Sequence, residues 1–191
     1  MIRLSRRALL TTLAVSACTS PDPAYYALAP VPGRTRAGGP RSVKLRRIAL
    51  AGYLDRETII RGRAGYRLET AANQRWGESL GEMIGRTLAE DLTQRLPGST
   101  VFTEMSSISA EGDATVEIDI QRFDAGPDGS VLLVAQIAIE RKGARTASVR
   151  RPVRLSSPAA ASDTDSLVAA MSAAVGQLAD VIAAELQNRR P

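Results

Sequence analysis

The sequence predicts an α+β single domain over residues 43–188, with a mostly antiparallel sheet and two main helices packed on one of its faces. Two stripes of apolar residues at helical spacing and several short alternating segments support this fold class. The chain has 191 residues, of which 44% are hydrophobic and only 4% are aromatic. This length suits one domain with an additional N-terminal segment, and the core is expected to be largely aliphatic.

A lipoprotein signal peptide is predicted over residues 1–17. A basic start is followed by an apolar run at 8–15, which is too short to span a bilayer because a spanning helix needs about 20 apolar residues. Small residues then lead directly into Cys18, an arrangement that resembles a bacterial lipobox. We therefore expect lipid on Cys18, and the alternative is an ordinary cleavage site beside a core cysteine. The pair Arg6-Arg7 fits both a general and a twin-arginine export signal.

Residues 18–42 are predicted to form a lipidated N-terminus and a flexible tether, because prolines and glycines are frequent there. The apolar patch at 25–28 is either a chance stretch or a piece that docks on the domain or on a partner. Six basic residues and no acid lie between 34 and 47. Such a run is usually a solvated face, and its functional alternative is attraction to anionic headgroups near the anchor. Thr19 in place of an aspartate favours the outer membrane, by resemblance to lipoprotein sorting signals.

Two strands and a helix are predicted in the first half of the domain. Apolar residues over 43–50 suggest a strand with a bulge in its middle, and alternation over 66–71 suggests the second strand. A helix is expected from about 78 to 96, with an apolar stripe that faces the core. Asp91 and Arg95 fall within this stripe four residues apart and are expected to pair with each other.

Four strands and a long helix are predicted in the second half. Residues 100–105 form a short strand, and 116–121 alternate so that one face is wet. The run at 131–139 is apolar on both faces at first, which is typical of a central strand. Pro152 places the last strand at an edge. The final helix is expected to begin with Ser162 as its N-cap and to run almost to the end of the chain.

Composition argues against most kinds of catalytic site. The chain has no histidine, which removes Ser/His/Asp and Cys/His nucleophilic sites and imidazole metal ligands. One cysteine forms neither an internal disulfide nor a cysteine-rich zinc site, so no metal and no cofactor besides the lipid are expected. Without the three arginines of the leader, 22 basic residues face 20 acidic ones. Nucleic-acid binding is not expected, since it requires clustered charge.

Two segments of the chain resemble the PqiC family of transport-auxiliary lipoproteins. They are residues 53–61, YLDRETIIR, and residues 75–80, RWGESL. The resemblance implies a periplasmic lipoprotein anchored in the outer membrane, which serves an MCE-type lipid transport system. Its implied partners are an MCE-domain protein, the inner-membrane permease with its ATPase, and the phospholipid membrane. It also implies docking or assembly without catalysis.

Candidate partner-binding residues lie in the first of these segments and in the last strand, because loops on a rigid scaffold often carry binding. They are Tyr53, Leu54, Asp55, Arg56, Arg61, Arg150, Arg151 and Arg154. The alternative is that the tyrosine and the aspartate only shape a loop, while the arginines only protect an edge strand. The second motif is expected to be structural, with its tryptophan as a core anchor. Its residues are Arg75, Trp76, Glu78 and Leu80.

Three functions remain open at the level of the sequence. The first is the docking module that the resemblance implies, in which a homo-oligomer would gain avidity from several lipid-anchored copies. The second is a structural lipoprotein that regulates an envelope enzyme such as a peptidoglycan synthase. The third is a carboxylate-dependent envelope hydrolase. Co-purification separates the first two, because each predicts a different partner.

Overall fold

Nine strands and two helices occur in residues 22–106, 111–143 and 148–188, the parts of the chain that this computed structural model describes. Cys18 and the signal peptide lie outside these residues. The strands are β1 (Ala24–Tyr26), β2 (Ser42–Leu45), β3 (Ala49–Leu50), β4 (Thr58–Ala64), β5 (Arg67–Trp76), β6 (Thr100–Thr103), β7 (Ala114–Ala125), β8 (Ser130–Arg141) and β9 (Ser148–Pro158). The helices are α1 (Leu80–Arg95) and α2 (Thr164–Gln187). The predicted α+β class is confirmed.

All nine strands belong to one mixed sheet in which antiparallel pairing predominates. β7, β8 and β9 form an antiparallel meander, and β4 and β5 form an antiparallel hairpin. β2, β3 and β4 run parallel to β7, while β1 is parallel to β5 and β6 to β2. These parallel pairs were not predicted from the sequence. They join segments far apart in the chain, and local alternation does not reveal such pairing.

The core lies between the sheet and the two helices. Leu88 and Leu92 of α1 are fully buried, as the predicted apolar stripe requires, and so are Val175 and Leu178 of α2. α2 is about 36 Å long and would also be long and apolar enough to cross a membrane, but most of it is buried within the domain. Its apolar character therefore reflects packing on three sides, namely against the sheet, α1 and the N-terminal segment.

Residues 27–40, which we call the strap, lie along the groove between α1 and α2. Leu28 is buried, and the backbone N–H of Val31 donates to Asp91 Oδ1 over 2.8 Å. Near the end of the groove, the N–H of Arg36 donates to the carbonyl of Arg95 over 2.7 Å. The prediction of a flexible tether is therefore wrong for the described part of residues 18–42. The docking alternative for 25–28 is confirmed, because β1 pairs with β5.

Several element boundaries also differ from the predictions. The expected bulge at Arg46-Arg47 is a break between β2 and β3, and residues 58–64 form a strand where a loop was considered. α2 is capped by Asp163 instead of Ser162, since Asp163 Oδ1 accepts from the N–H of Ser166 over 2.7 Å. The predicted edge position of the last strand is confirmed among the described residues, because β9 pairs with β8 alone.

Candidate functional site: a buried carboxylate on the open face of the sheet

The sheet face opposite the helices, here called the open face, carries a fully buried carboxylate. A register shift between Ile120 and Arg122 in the pairing of β7 with β8 marks a bulge. The extra residue reverses the alternation, so Phe123 points into the core while Arg122 and Asp124 lie on the open face. Asp124 is 0% exposed there. A charge buried in this way requires compensation from neighbouring groups.

Three side chains supply that compensation. The Tyr53 hydroxyl donates to Asp124 Oδ2 over 2.7 Å, and Arg63 Nε donates to the same oxygen over 3.1 Å. Arg122 Nε donates to the second oxygen, Oδ1, over 2.7 Å. The guanidinium carbon of Arg63 also lies 4.4 Å from the centre of the Tyr53 ring, a cation–π distance. We call Tyr53, Arg63, Arg122 and Asp124 the carboxylate cluster.

Tyr53 is held in its protonated, donating form by this environment. Burial is the main cause that raises the pKa of its phenol, and the hydrogen bond to Asp124 raises it further. The same hydroxyl accepts from the backbone N–H of Phe123 over 3.3 Å. The tyrosine therefore fastens the loop that precedes β4 onto the bulged part of β7.

The carboxylate cluster connects the loop before β4, β4 itself and β7 through hydrogen bonds to one carboxylate. Both oxygens of Asp124 already accept hydrogen bonds, from two arginines and a phenol. Among the described residues, there is also no group of three or more histidine, cysteine or acidic side chains placed to hold a metal ion.

The predicted loop residues divide into buried and exposed positions. Leu54 is 2% exposed and belongs to the core, so it is not available as a contact residue in this conformation. Asp55 and Arg56 are exposed and make no side-chain hydrogen bond to any described residue. Arg61 is turned towards α2, where its guanidinium donates to Thr164 Oγ1 over 2.8 Å and to the carbonyl of Ser162.

The predicted arginines of β9 also divide, because neighbouring residues of a strand face opposite sides of a sheet. Arg151 faces α2 and pairs with Glu185 over 2.5 Å. Arg150 and Arg154 are exposed on the open face. Arg154 lies opposite Val134, which in turn lies opposite Arg122 of the carboxylate cluster. The exposed arginines and Tyr53 therefore share one surface.

The second motif holds the junction between β5 and α1. Trp76 and Leu80 are each 3% exposed, which matches the expected core anchor. Arg75 forms an exposed ion pair with Glu57 over 2.8 Å. Glu78 accepts from Arg86 Nη1 over 2.6 Å, and the pKa of its carboxyl is lowered mainly by this hydrogen bond.

Arg63, Arg122 and Asp124 were not singled out from the sequence. Asp124 stands near the end of β7, just before the turn that leads to β8, where an aspartate has an ordinary role in turn formation. The available signal was the loss of strict alternation after Ile120. It indicates a bulge, but the partners Tyr53 and Arg63 lie more than 60 residues away in the chain.

A cleft of about 510 Å³ opens beside the carboxylate cluster. The β4–β5 hairpin, the β7–β8 turn and the connection from β9 to α2 form its walls. Gly62 stands where β4 meets β7, and a Cβ at this position would lie 2.9 Å from the carbonyl oxygen of Ala125. The close approach of the two strands at the base of the cleft therefore requires a glycine.

Tyr53→Phe is expected to lower the free energy of unfolding by roughly 1–2 kcal/mol, since one donor to a buried carboxylate is lost while the ring keeps its packing. The measurement is a urea titration followed by circular dichroism. Tyr25→Phe is the matched control, because Tyr25 is 66% exposed and should unfold like the wild type. Equal midpoints for the two variants would show that the Tyr53 hydroxyl does not stabilise Asp124.

Comparison with known proteins identifies a family whose model matches this chain. The family model for the ABC-type transport auxiliary lipoprotein component matches residues 26–183. The intermembrane transport lipoproteins PqiC of Escherichia coli strain K12 and of Shigella flexneri are each 22% identical over 167 residues, covering 86% of this chain and 86% of each relative.

Two solved structures share the fold. An uncharacterized protein superposes with a TM-score of 0.71 at 22% identity, covering 86% of this chain and 99% of its own. Protein XCC0632 from Xanthomonas campestris superposes with a TM-score of 0.68 at 14% identity, covering 85% and 94% respectively.

Proposed function

Since this chain belongs to the family of ABC-type transport auxiliary lipoprotein components, we propose that it is the outer-membrane docking subunit of an MCE-type intermembrane lipid transport system. In this role, Cys18 carries the lipid anchor and the domain faces the periplasm. The domain receives the MCE-domain protein that extends from the inner-membrane permease and ATPase. The observation that carries the proposal is the family match, which covers residues 26–183, from the end of β1 into α2.

The open face supplies a suitable contact surface. Arg150 and Arg154 project from β9 without an ion-pair partner among the described residues, whereas Arg151 is occupied by Glu185. Unpaired arginines on a rigid strand provide bidentate donors without the cost of breaking an existing pair. Beside them, the carboxylate cluster fixes the loop that exposes Asp55 and Arg56. The candidate interface is therefore pre-organised, which lowers the entropy cost of docking.

Docking without catalysis agrees with the chemistry of this surface. Its buried carboxylate is occupied by three donors, and the chain has no histidine to serve as a base beside a nucleophile. A homo-oligomer would place several such surfaces around one multimeric partner. Each weak contact would then add to the next through high local concentration at the membrane.

Arg150→Glu combined with Arg154→Glu is expected to reduce capture of the MCE-domain protein at least about tenfold, because carboxylates replace two unpaired donors at the proposed interface and reverse its charge. The measurement is a pull-down from detergent-solubilised envelopes with the lipidated protein as bait. Arg34→Glu combined with Arg41→Glu is the matched control, since it makes the same change in net charge at exposed positions away from the open face.

Equal capture by the two double variants would remove the β9 arginines from the interface. Failure of the wild-type bait to retain any MCE-domain protein would contradict the transport role. Recovery of a peptidoglycan synthase in its place would favour the regulatory alternative. Circular dichroism of each variant confirms that the domain is folded.

A further inference from the structure

We propose that the tip of the β4–β5 hairpin, with Tyr66 at its end, rests on the lipid headgroups and sets the orientation of the domain on the membrane. This inference rests on the lipid anchor of the proposed function. It adds a second membrane contact, made by the protein itself, and states which end of the domain faces the bilayer.

The direction of the N-terminal segment is the first argument. β1 runs parallel to β5, with Ala24 opposite Gln74 and Tyr26 opposite Trp76. One step further back, the side-chain amide of Asn73 donates to the carbonyl of Asp22 over 2.9 Å. β5 begins at the hairpin, so the chain that precedes β1 points towards the hairpin tip.

The length of the connection is the second argument. Cys18 stands four residues before Asp22, and four residues span at most about 14 Å. From Asn73 back to the start of β5 at Arg67, the strand covers about 20 Å. The hairpin therefore extends at least as far in this direction as the chain that leads to Cys18. A lipid on Cys18 therefore holds this end of the domain close to the membrane. The connection cannot lengthen while β1 stays paired with β5 and the strap that follows it stays bound between the helices.

The same geometry places the basic residues of the strap at the opposite end. Arg36 lies where both helices end, with its N–H on the Arg95 carbonyl and its guanidinium 3.4 Å from Gln187 Oε1. Because α2 is about 36 Å long, this region is more than a Debye length from the anchor end. The headgroup interpretation of the basic run at 34–47 therefore loses its support for Arg36 and its neighbours in the strap.

The side chains at the anchor end suit a membrane interface. Tyr66 is fully exposed at the hairpin tip, next to Gly65 with its positive φ of 61°. Tyr25 is 66% exposed but lies opposite Arg75, near the other end of β5. Among the described residues, the remaining large apolar side chain with this degree of exposure is Met105. Tyrosine is enriched at the headgroup level because its ring is apolar and its hydroxyl remains hydrated.

Charge at this end does not favour an anionic surface. Arginines and acids around the cleft and the hairpin balance each other; they are Arg61, Arg63, Arg67, Glu69, Asp128 and Asp163. We therefore expect the contact to depend on tyrosine and to be similar on neutral and anionic vesicles. A contact made by basic residues would require anionic lipid and would weaken with salt.

The test uses an environment-sensitive fluorophore on the lipidated full chain. Acylation occupies Cys18, so Ala64→Cys in the hairpin introduces the sole free thiol for labelling. Gly98→Cys is the matched control, because Gly98 is exposed at the turn after α1, at the opposite end of the domain. Both labelled proteins are reconstituted into phosphatidylcholine vesicles whose headgroups carry a nitroxide quencher, and again with added phosphatidylglycerol.

We expect several-fold stronger quenching at position 64 than at position 98 in both vesicle types. Adding Tyr66→Ser to the Ala64→Cys chain is expected to lower that quenching while the protein stays on the vesicles. Equal quenching at 64 and 98 would overturn the proposed orientation, and no effect of Tyr66→Ser would overturn the role of the tyrosine. Flotation of wild-type and Cys18→Ser chains tests the anchor itself. If both float equally, or if the wild type does not float, the lipid-anchor part of the proposed function fails as well.

Discussion

Arg95→Met is expected to lower the free energy of unfolding by about 3–5 kcal/mol, the cost of removing one partner from a buried ion pair. The Arg95 side chain is 1% exposed and Asp91 beside it is 0% exposed, with 3.4 Å between Nη1 and Oδ1. Arg95 Nε donates to Asp180 Oδ1 over 2.7 Å. Its two other nitrogens donate to the carbonyls of Val31 and Gly176, each over 3.1 Å. One guanidinium thus joins both helices and the strap.

The measurement is a urea titration of the mature chain carrying Cys18→Ser, which removes the lipid. Arg86→Met is the control, because Arg86 lies on the same helix and pairs with Glu78 at the surface. An exposed pair of this kind contributes about 0–1 kcal/mol. Adding Asp91→Leu to Arg95→Met should recover part of the loss, since no unpaired charge is then buried. If Arg95→Met unfolds like Arg86→Met, the buried network does not hold the strap.

The loss caused by Arg95→Met should shrink as the pH falls. Burial is the main cause that raises the pKa of Asp91 above its usual value of 3.8, while Val31 and Arg95 act in the opposite direction. Without the arginine, the pKa of the folded state rises further. An acid whose folded pKa exceeds its unfolded pKa gains folding stability as the pH falls through the folded value. Titrations from neutral pH towards 4 should therefore bring the variant closer to the wild type.

The strap shows why composition misled the prediction of a tether. Prolines and glycines reduce helix and strand formation, but they do not prevent an extended chain from packing when another element supplies its hydrogen-bond partners. Here those partners are Asp91, Arg95 and Ser172, which lie more than 50 residues beyond the strap in the chain. A Cβ at Gly33 would lie 2.2 Å from Arg95 Cζ, so any other residue there would displace the guanidinium from its present contacts. The pairing of Asp91 with Arg95 was predicted, but its burial under the strap was not.

Hydrophobic periodicity predicted those helices and strands that bury one face of a continuous segment. The stripes of α1 and α2 and the alternation in β7 reflect one buried face per element, which periodicity detects. Contacts between distant segments escaped prediction. β2 reaches β6 and β7 through parallel pairs, and Asp124 reaches Tyr53 only because a bulge turns it to the open face. The candidate loop was located from its motif. The carboxylate cluster that holds this loop was not, because its members are far apart in the chain.

The tryptophan of the second motif carries the other large expected effect. Trp76→Ala should lower the free energy of unfolding by about 3–5 kcal/mol, because the substitution leaves a cavity in place of a 3% exposed ring. Trp76 ends β5 and pairs with Tyr26 of β1, and its backbone N–H donates to the Glu57 carbonyl over 2.7 Å. The cavity therefore opens where β1, the loop before β4 and α1 meet.

Trp76→Ala should also loosen the N-terminal segment before the rest of the domain unfolds. Hydrogen exchange of β1 and the strap should accelerate more than that of β7 and β8, because the tryptophan supports the strand to which β1 is attached. Tyr66→Ala is the control for removal of an aromatic ring, and at a fully exposed position it should change stability by no more than about 0.5 kcal/mol. An unchanged urea midpoint for Trp76→Ala would contradict the burial of the ring. A uniform increase in exchange would instead show that β1 and the strap unfold together with the sheet. The N-terminal segment would then have the same free energy of opening as the core strands.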